Sequence, residues 1–446
     1  MNMNHKNKKR SLNLDLNLNL FLKKYLSATI LTIQAMAGML AQETNFTERE
    51  ELPIMPAQVS IVYPMTTMGD QTINYRYHLS FNLFSGKVGA IKGVEFGTIY
   101  NYAEHDVWGV QCSGIVNKTR VVTGLQFSGL INTCTILEGI QFSGLLNVCG
   151  GVTGIQFGGI SNIADSVKGI QFGGIANLSK NVEGIQYVGI ANVAESVKGI
   201  QFSGITNVAE SVKGIQFSGI SNVTEKIEGI QFSGIGNVSR EVSGASFGGI
   251  FNLTETLNGI QVAGIVNVVD TVASGVPIAL INIVRKGGYR EWSLNFADYL
   301  NVGLSFKMGT SKFYTIFAAG ANFLEDNMWV TGFGFGHRSS LGNRFDFQPE
   351  IVDYQYYPFN FKKINYLSAT HLKIGFIYKL NDHLGISIAP SLYFLNGDVR
   401  RTERVGSIPP FAEWERKYSY QNRYVDIENV NRHSFGAGIS VGLLLH

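Results

Sequence analysis

Between residues 93 and 288 the hydrophobic and polar positions repeat with a period of 15 residues. One unit runs from Gly169-Ile-Gln-Phe-Gly-Gly-Ile-Ala-Asn177 through a mixed segment that ends at Glu183. Its leading glycine recurs at positions 109, 124, 139, 154, 169, 184, 199, 214, 229, 244 and 259. Chance does not hold four residue types in register over so many copies. Each copy is therefore predicted to be one structural unit that packs on its neighbours.

A unit of this length is too short for two helices, and its glycine content disfavours even one. It fits one coil of a β-solenoid built from two or three short strands, and it also fits one strand and turn of a β-meander or barrel. In the solenoid alternative, a corner at Gly173-Gly174 resets the side-chain alternation. The inward apolar side chains are then predicted to be Ile170, Phe172, Leu178 and Val182, and the water-facing ones Ser179, Lys180 and Glu183.

Equivalent residues of a solenoid stack about 4.8 Å apart, and stacked amides hydrogen-bond along the column. The repeated asparagine and glutamine are therefore predicted to form structural ladders rather than a reactive site. About 12 coils make a rod roughly 58 Å long. The aromatic column is predicted to pack in the core rather than to bind sugar. The ladder residues are Asn162, Asn177, Asn192, Asn207 and Asn222, and Gln171, Gln186, Gln201 and Gln216.

Two cysteines, Cys134 and Cys149, occupy the same position in adjacent copies. Stacked coils bring such residues to about 5 Å between Cα atoms, which is within disulfide range. Oxidation is possible in an exported protein. The spacing indicates a disulfide, with two buried thiols as the alternative. Cys112 takes the place of an aromatic residue and is predicted to be a buried hydrophobe.

Residues 289–446 follow a different pattern, in which apolar and small or polar residues alternate over segments of about ten residues. In one such segment Leu372, Ile374 and Phe376 alternate with Lys373 and Gly375. Period two predicts strands, and this length matches the 9–11 residues of a tilted membrane strand. The pattern favours seven or eight strands of an outer-membrane-type barrel, with a soluble β-sandwich as the alternative. A long charged loop is predicted over 397–432.

The N-terminus carries a basic segment, then an uncharged stretch from Tyr25 to Ala41. This pattern predicts a signal peptide at 1–41, with a membrane anchor as the alternative. The chain is thus divided into the signal peptide, an N-terminal β segment or cap at 42–92, the repeat array at 93–288 and the barrel-like domain at 289–446. Solenoid ends need caps, and the N-terminal segment and the barrel are the candidates.

The amino-acid composition limits the classes of function that are expected for this chain. The chain has 446 residues, with 36 lysine and arginine against 33 aspartate and glutamate, so its net charge is +3. This balance does not support nucleic-acid binding. Charged residues make up only 15% of the chain and glycine accounts for 51 residues, which together favour an ordered all-β protein. The sequence contains no nucleophile elbow, phosphate loop or zinc-helix motif, so neither a catalytic, metal nor cofactor site is predicted.

The units at 199–208 and 214–223, Gly-Ile-Gln-Phe-Ser-Gly-Ile-x-Asn-Val, resemble those of uncharacterised surface-repeat proteins of leptospires and Bacteroidota. The resemblance covers about 80–310 and implies a cell-envelope protein without assigning catalytic residues. Ser246 departs from the pattern, because it stands where the other copies have glutamine.

These observations predict an exported protein of the outer membrane or cell surface that is not an enzyme. Its expected partners are outer-membrane lipid and an unidentified surface ligand or envelope partner. The expected role is structural or binding, such as adhesion or envelope organisation. The alternative is a porin-like barrel that passes small solutes. Whether the repeats lie outside the cell, in the periplasm or in the membrane stays open.

Overall fold

The computed structural model of the protein describes residues 52–323, 327–359, 367–398, 411–422 and 425–445. The described residues form a parallel β-solenoid of about 14 turns, followed by a closed antiparallel barrel of eight strands. The all-β class and the solenoid are confirmed, and the meander alternative for the repeats is wrong. The predicted signal peptide at 1–41 lies outside the described residues.

The N-terminal segment begins the solenoid. Strand β1 pairs in parallel with β3, and Gln58 lies opposite Ser80. The peptide bond between Tyr63 and Pro64 is cis. A short 3-10 helix at Gly69–Asn74 precedes β3. The strands of this segment are β1 (Ile54–Val62), β2 (Met65–Thr66), β3 (Arg76–Val88) and β4 (Ala90–Gly97).

Each repeat contributes one strand of about 13 residues, broken only at the glycine corner, rather than two or three short strands. Neighbouring strands pair in register with an offset of one repeat, so that Asn177 lies opposite Asn192 and Gly184 opposite Gly199. The strands are β5 (Tyr100–Ser113), β6 (Val116–Ser128), β7 (Ile131–Ser143), β8 (Leu146–Gly158), β9 (Ser161–Gly173), β10 (Ala176–Val188), β11 (Ala191–Ser203), β12 (Thr206–Ser218), β13 (Ser221–Ser233), β14 (Gly236–Gly248), β15 (Phe251–Ala263), β16 (Val266–Val272), β17 (Val276–Ile278) and β18 (Ile281–Lys286).

The solenoid interior is more polar than predicted. Val182 is buried as expected, but Ser179 is also buried and donates a hydrogen bond to Gln171. Phe172 lies on the outer face and is only partly buried. Leu178 lies between the inward Asn177 and Ser179 and therefore also points outward. The prediction of an aromatic core is wrong because the amide columns, whose hydrogen bonds are satisfied along the stack, occupy the interior instead.

The barrel strands are antiparallel, and pairing of β19 with β28 closes the sheet. Residues 412–422 and 425–432 lie in strands that form a hairpin, so the predicted loop over 397–432 is wrong for that part. The eight strands of the closed sheet are β19 (Tyr289–Ala297), β20 (Val302–Thr310), β21 (Phe313–Asn322), β22 (Met328–Gly336), β24 (Phe345–Pro358), β25 (Leu367–Lys379), β26 (Leu384–Asp398) and β28 (Val425–Leu445). Two further strands, β23 (Ser339–Ser340) and β27 (Ala412–Asn422), pair with β24 and β28 and are not part of the closed ring.

The chain divides into two compact units, and the boundary lies between Gly249 and Ile250 rather than at the start of the barrel. The second unit contains the last solenoid strands together with the barrel. Within it, Asn282 donates a hydrogen bond from Nδ2 to Thr315 Oγ1 of β21, and Thr315 donates to the carbonyl of Ala279. The barrel thus caps the final asparagine of the array, which has no following coil to receive its hydrogen bond.

Candidate functional site

The barrel carries apolar side chains on its outer surface and polar side chains in its lumen. In β19, Glu291 and Ser293 are buried, whereas the intervening Trp292 and the following Leu294 are exposed, Trp292 by 50%. The same alternation continues around the barrel. The exposed outer residues include Leu304, Ile351, Leu372, Ile374, Phe376, Ile386, Ile388, Leu392, Ile439, Val441 and Leu443, and the buried lumen residues include Ser305, Lys307, Gln348, Glu350, His371, Lys373, Ser387, Ser391 and Ser440.

Aromatic pairs lie on the outer surface near both ends of the barrel. We call the end where β19 begins and β28 ends the turn end, and the opposite end the loop end. Near the turn end Trp292 packs on Phe306 with 4.6 Å between ring centroids. Near the loop end Trp329 packs on Phe359 at 4.8 Å. Two aromatic girdles that flank an apolar band are typical of barrels in outer membranes.

Charged side chains fill the half of the lumen next to the turn end. Lys307 Nζ lies 2.9 Å from Glu291 Oε1 and 2.6 Å from Glu350 Oε1. Arg338 joins Glu291 to Asp346 through contacts of 2.8 and 2.7 Å. Lys379 also contacts Asp346, at 2.7 Å, and Lys373 lies 3.7 Å from Glu350. These seven residues, which we call the lumen network, link β19, β20, β24 and β25 and the β22–β24 connection through the barrel interior.

Tyrosines fill the other half of the lumen, near the loop end. Tyr299, Tyr354 and Tyr393 are buried around His371, whose ring centroid lies 4.0 Å from that of Tyr299. His371 Nδ1 lies 3.2 Å from Ser391 Oγ. This pair is enclosed in the lumen, and the described residues place neither a carboxylate beside the histidine nor a path to it. The tyrosines and the lumen network together fill the barrel, as expected for eight strands.

Sequence reasoning missed the lumen network. A signal was present, because Lys307 and Lys373 each stand between two apolar residues in a strand, as a lumen-facing residue of a membrane barrel does. The sequence does not show which residue pairs with each charged side chain. Glu291 and Lys307 come from neighbouring strands, but Glu350 reaches Lys307 across the lumen.

An open cleft of about 630 Å³ lies at the turn end, within the second unit. The cations at its wall are Arg285, Arg290, Arg338 and Lys379. Arg285 contacts Asp270, and Arg290 donates to the carbonyl of Val284. Since Arg338 and Lys379 belong to the lumen network, each of these four cations already has a partner within the chain.

The predicted ladders are present in the solenoid, and they run in opposite directions. Each glutamine from Gln126 to Gln231 donates from Nε2 to Oε1 of the preceding one, as in Gln186 to Gln171 at 2.7 Å. The ladder ends there, because Ser246 interrupts it and neither polar side-chain atom of Gln261 is hydrogen-bonded to a described residue. Each asparagine donates from Nδ2 to Oδ1 of the following one, as in Asn177 to Asn192 at 3.0 Å. The other predicted members, Asn162, Asn207, Asn222, Gln201 and Gln216, make the same contacts.

Glu95 ends the glutamine ladder at its N-terminal side. Its Oε2 accepts a hydrogen bond of 2.8 Å from Gln111 Nε2, and its Oε1 accepts one of 2.9 Å from Asn82 Nδ2 and one of 3.3 Å from Ser80 Oγ. The side chain is fully buried. Burial raises the pKa of Glu95 to about 7, although the three hydrogen bonds lower it. Glu95 was not predicted as the end of the ladder. It occupies the position of the repeated glutamine and differs from it only in having a carboxyl group in place of the amide.

We expect Glu95→Gln to change how the stability of the solenoid depends on pH. Because the folded-state pKa lies above that of the unfolded chain, ionisation favours unfolding as the pH rises from about 4.5 to about 7. The variant lacks this loss, so its free energy of unfolding relative to the parent should rise by about 3 kcal/mol between these pH values. At low pH it should start below the parent, because the amide nitrogen cannot accept the hydrogen bond that Gln111 or Asn82 donates. Denaturant unfolding followed by circular dichroism at several pH values measures this change. Glu138→Gln, at an exposed position, is the matched control, and an equal difference from the parent at every pH contradicts the expectation.

The predicted disulfide is present. Cys134 and Cys149 are bonded, with 4.7 Å between their Cα atoms. The bond joins adjacent coils at β7 and β8, where the two cysteines lie opposite each other. Cys112 is a free thiol that is partly rather than fully buried, because the aromatic column to which it belongs lies on the outer face.

Within the described ranges, no three histidine, cysteine, aspartate or glutamate side chains are grouped as metal ligands. The described helical residues do not include a segment of the length and apolarity that crossing a membrane requires. Comparison with known protein families, curated proteins and solved structures finds no match for this chain.

Proposed function

We propose that this chain is an exported outer-membrane protein in which the barrel is a closed membrane anchor and the solenoid has a structural or binding role in the cell envelope. The observation that carries the proposal is the reversed polarity of the barrel. An eight-stranded sheet that exposes tryptophan, leucine and isoleucine while it buries lysine, glutamate and arginine is stable in lipid rather than in water.

The lumen supports an anchor rather than the porin-like alternative. Lys307, Glu350 and Arg338 form ion pairs across the interior at one end, and buried tyrosines fill the other. Barrels of eight strands fill their interior with side chains, whereas water-filled channels need about sixteen strands. The described lumen side chains therefore favour a plugged barrel that passes no solute.

The connections of the barrel support a periplasmic position for the solenoid. At the turn end the described connections are 311–312, 337–344 and 380–383, of which the longest has eight residues, whereas β26 and β27 at the loop end are separated by residues 399–411. Outer-membrane barrels place short turns in the periplasm and long loops outside the cell. The last solenoid strand ends at Lys286 and β19 begins at Tyr289, so the array enters the barrel at the turn end.

Cysteine labelling tests this topology. In a Cys112→Ser background, Asn327→Cys places a thiol at the loop end and Asn181→Cys places one on the exposed face of the solenoid. With a maleimide that does not cross the outer membrane, we expect intact cells to label Asn327→Cys only. Asn181→Cys should label once the outer membrane is permeabilised, because the solenoid then becomes accessible.

The labelling outcomes separate the alternatives. Labelling of both sites on intact cells means surface display of the solenoid and overturns the periplasmic position. Labelling of neither site on intact cells contradicts the orientation of the barrel. Recovery of the chain in the soluble fraction, rather than with outer membranes, overturns the membrane anchor itself.

A further inference from the structure

A second exposed apolar surface lies on the solenoid. From Ile115 to Ile235 each coil places an isoleucine or leucine directly after its corner glycine, and Ile99 takes the same place after Thr98. Each of these side chains is 38–46% exposed. The aromatic column lies three residues earlier in every coil, on the same outer side. We call the two columns together the apolar strip. Its aliphatic members are Ile99, Ile115, Leu130, Leu145, Ile160, Ile175, Ile190, Ile205, Ile220 and Ile235.

The phenylalanine rings of the strip are stacked on one another, whereas Tyr187 is tilted by 50° and 46° to its two neighbours. Phe202 and Phe217 have ring centroids 4.9 Å apart and planes 4° apart, and Phe142 and Phe157 are 4.5 Å and 3° apart. Ring faces are thus covered by neighbouring rings, and ring edges point outward. A sugar binds by stacking on an open ring face, so this arrangement disfavours a carbohydrate and favours an apolar occupant.

The strip is too large for an ordinary exposed surface. Ten aliphatic rows and the aromatic edges beside them expose apolar surface on the order of 1,000 Å², whereas the largest patch on a typical monomer is about 300–600 Å². A standard protein interface buries about 800 Å² on each partner. The strip of the first unit is therefore sufficient for one stable interface.

The spacing of the strip indicates what covers it. Its rows repeat at the distance between neighbouring strands, about 4.8 Å. A second strip with the same period places a side chain in every groove along the whole length, as in the packed sheets of a steric zipper. A partner without this period fits only a few rows. A second copy of this chain has the same row spacing, so its strip fits along the whole length.

The charges beside the strip do not oppose such pairing. Lys198 contacts Glu183 at 3.1 Å, Lys213 contacts Glu228 at 3.1 Å, and Lys180 contacts Asp165. Both signs occur on this face and several charges are paired within the chain, although Glu195, Glu210 and Glu225 follow one another in adjacent coils. The pairs limit like-charge repulsion between two copies.

We propose that the apolar strip is a self-association surface, on which the strip of a second copy packs face to face. The proposal does not depend on the compartment in which the solenoid lies, since it rests on the first unit alone. It assigns a homodimer contact to the aliphatic column, which is exposed in every coil from Ile99 to Ile235, and to the partly exposed aromatic column beside it.

Site-directed cross-linking of the full-length chain in the cells that produce it tests the proposal. In a Cys112→Ser background, single cysteines are placed in the strip at Ile160→Cys, Ile175→Cys and Ile190→Cys. Matched cysteines are placed six residues later on the exposed charged face, at Ser166→Cys, Asn181→Cys and Ser196→Cys. A short, membrane-permeable bismaleimide reaches every compartment. We expect a covalent dimer from the strip cysteines and none from the charged-face cysteines.

Lysine substitutions then test whether apolar contact holds the dimer. With Ile175→Cys as the reporter, Ile160→Lys together with Ile190→Lys should lower the cross-linked fraction about tenfold or more, because each buries a charge in the interface. Ser166→Lys together with Ser196→Lys adds the same charge to the other face and should leave the fraction unchanged. All of these positions are exposed, so the coil itself is not disturbed.

Three results overturn the proposal. Equal cross-linking from strip and charged-face cysteines means random collision. If no strip cysteine gives a dimer although all of them react with a monomaleimide, the strip is not covered by any partner. If no strip cysteine gives a dimer and all of them also fail to react with a water-soluble maleimide in permeabilised cells, lipid or a different protein covers the strip.

Discussion

Replacing Gly199 by alanine is expected to unfold the middle of the solenoid. Gly199 has φ of 147°, and a Cβ built on it lies 2.0 Å from the carbonyl oxygen of Gly184 in the preceding coil. Side chains rarely adopt this conformation, and a backbone carbonyl that pairs two coils cannot move aside without breaking the ladder. The strain and the clash together should cost at least about 4 kcal/mol of unfolding free energy.

Thermal unfolding by circular dichroism and limited proteolysis of the full-length chain measure this loss. The variant should melt at a lower temperature and should be cut within the repeats where the parent chain is resistant. Lys198→Ala is the matched control, because it changes the adjacent residue and removes only an exposed ion pair, worth about 1 kcal/mol or less. Equal stability of the Gly199 variant and the control contradicts the close approach of the coils.

Replacing Lys307 by methionine is expected to destabilise the barrel. The ammonium group of Lys307 contacts both Glu291 and Glu350, and all three side chains are buried. Methionine fills a similar volume but leaves two carboxylates of the lumen network without this cation. Removal of one partner from a buried ion pair costs about 3–5 kcal/mol. The temperature at which the purified protein unfolds in detergent should fall accordingly.

A second substitution distinguishes loss of the local ion pair from lost packing. In the Lys307→Met background, Glu350→Gln removes one of the two carboxylates that lost this cation, so part of the lost stability should return. Lys312→Met, at an exposed position in the β20–β21 turn, is the control and should leave the unfolding temperature unchanged. A double variant that is less stable than Lys307→Met contradicts a stabilising role for the ion pair between Lys307 and Glu350.

The repeat was largely predictable because its physics is local and periodic. A period of 15 residues with asparagine and glutamine at constant positions leads to parallel coils, in-register ladders and the pairing of Cys134 with Cys149. The alternation in the last third likewise predicts membrane-length strands. In both regions the side chains that share a face follow from the two-residue period of a strand.

Only the tertiary structure decides which face of each repeat strand is enclosed in the solenoid. Alternation places Ile170 and Phe172 on one face of a strand and Gln171 on the other, but it does not say which face is enclosed. The coils enclose Gln171 because a buried amide is satisfied only when identical neighbours stack above and below it.

The sequence by itself determined the all-β class, the 15-residue period and the alternation of the last third, since each follows from local spacing. It favoured parallel coils with amide ladders, but only the structure excluded the meander. The tertiary structure alone decided that the aromatic column lies outside, that Glu95 ends a ladder, that the final repeats join the barrel and that Lys307 meets Glu350. Each of these depends on contacts between residues that are distant in sequence, and such contacts have no local pattern.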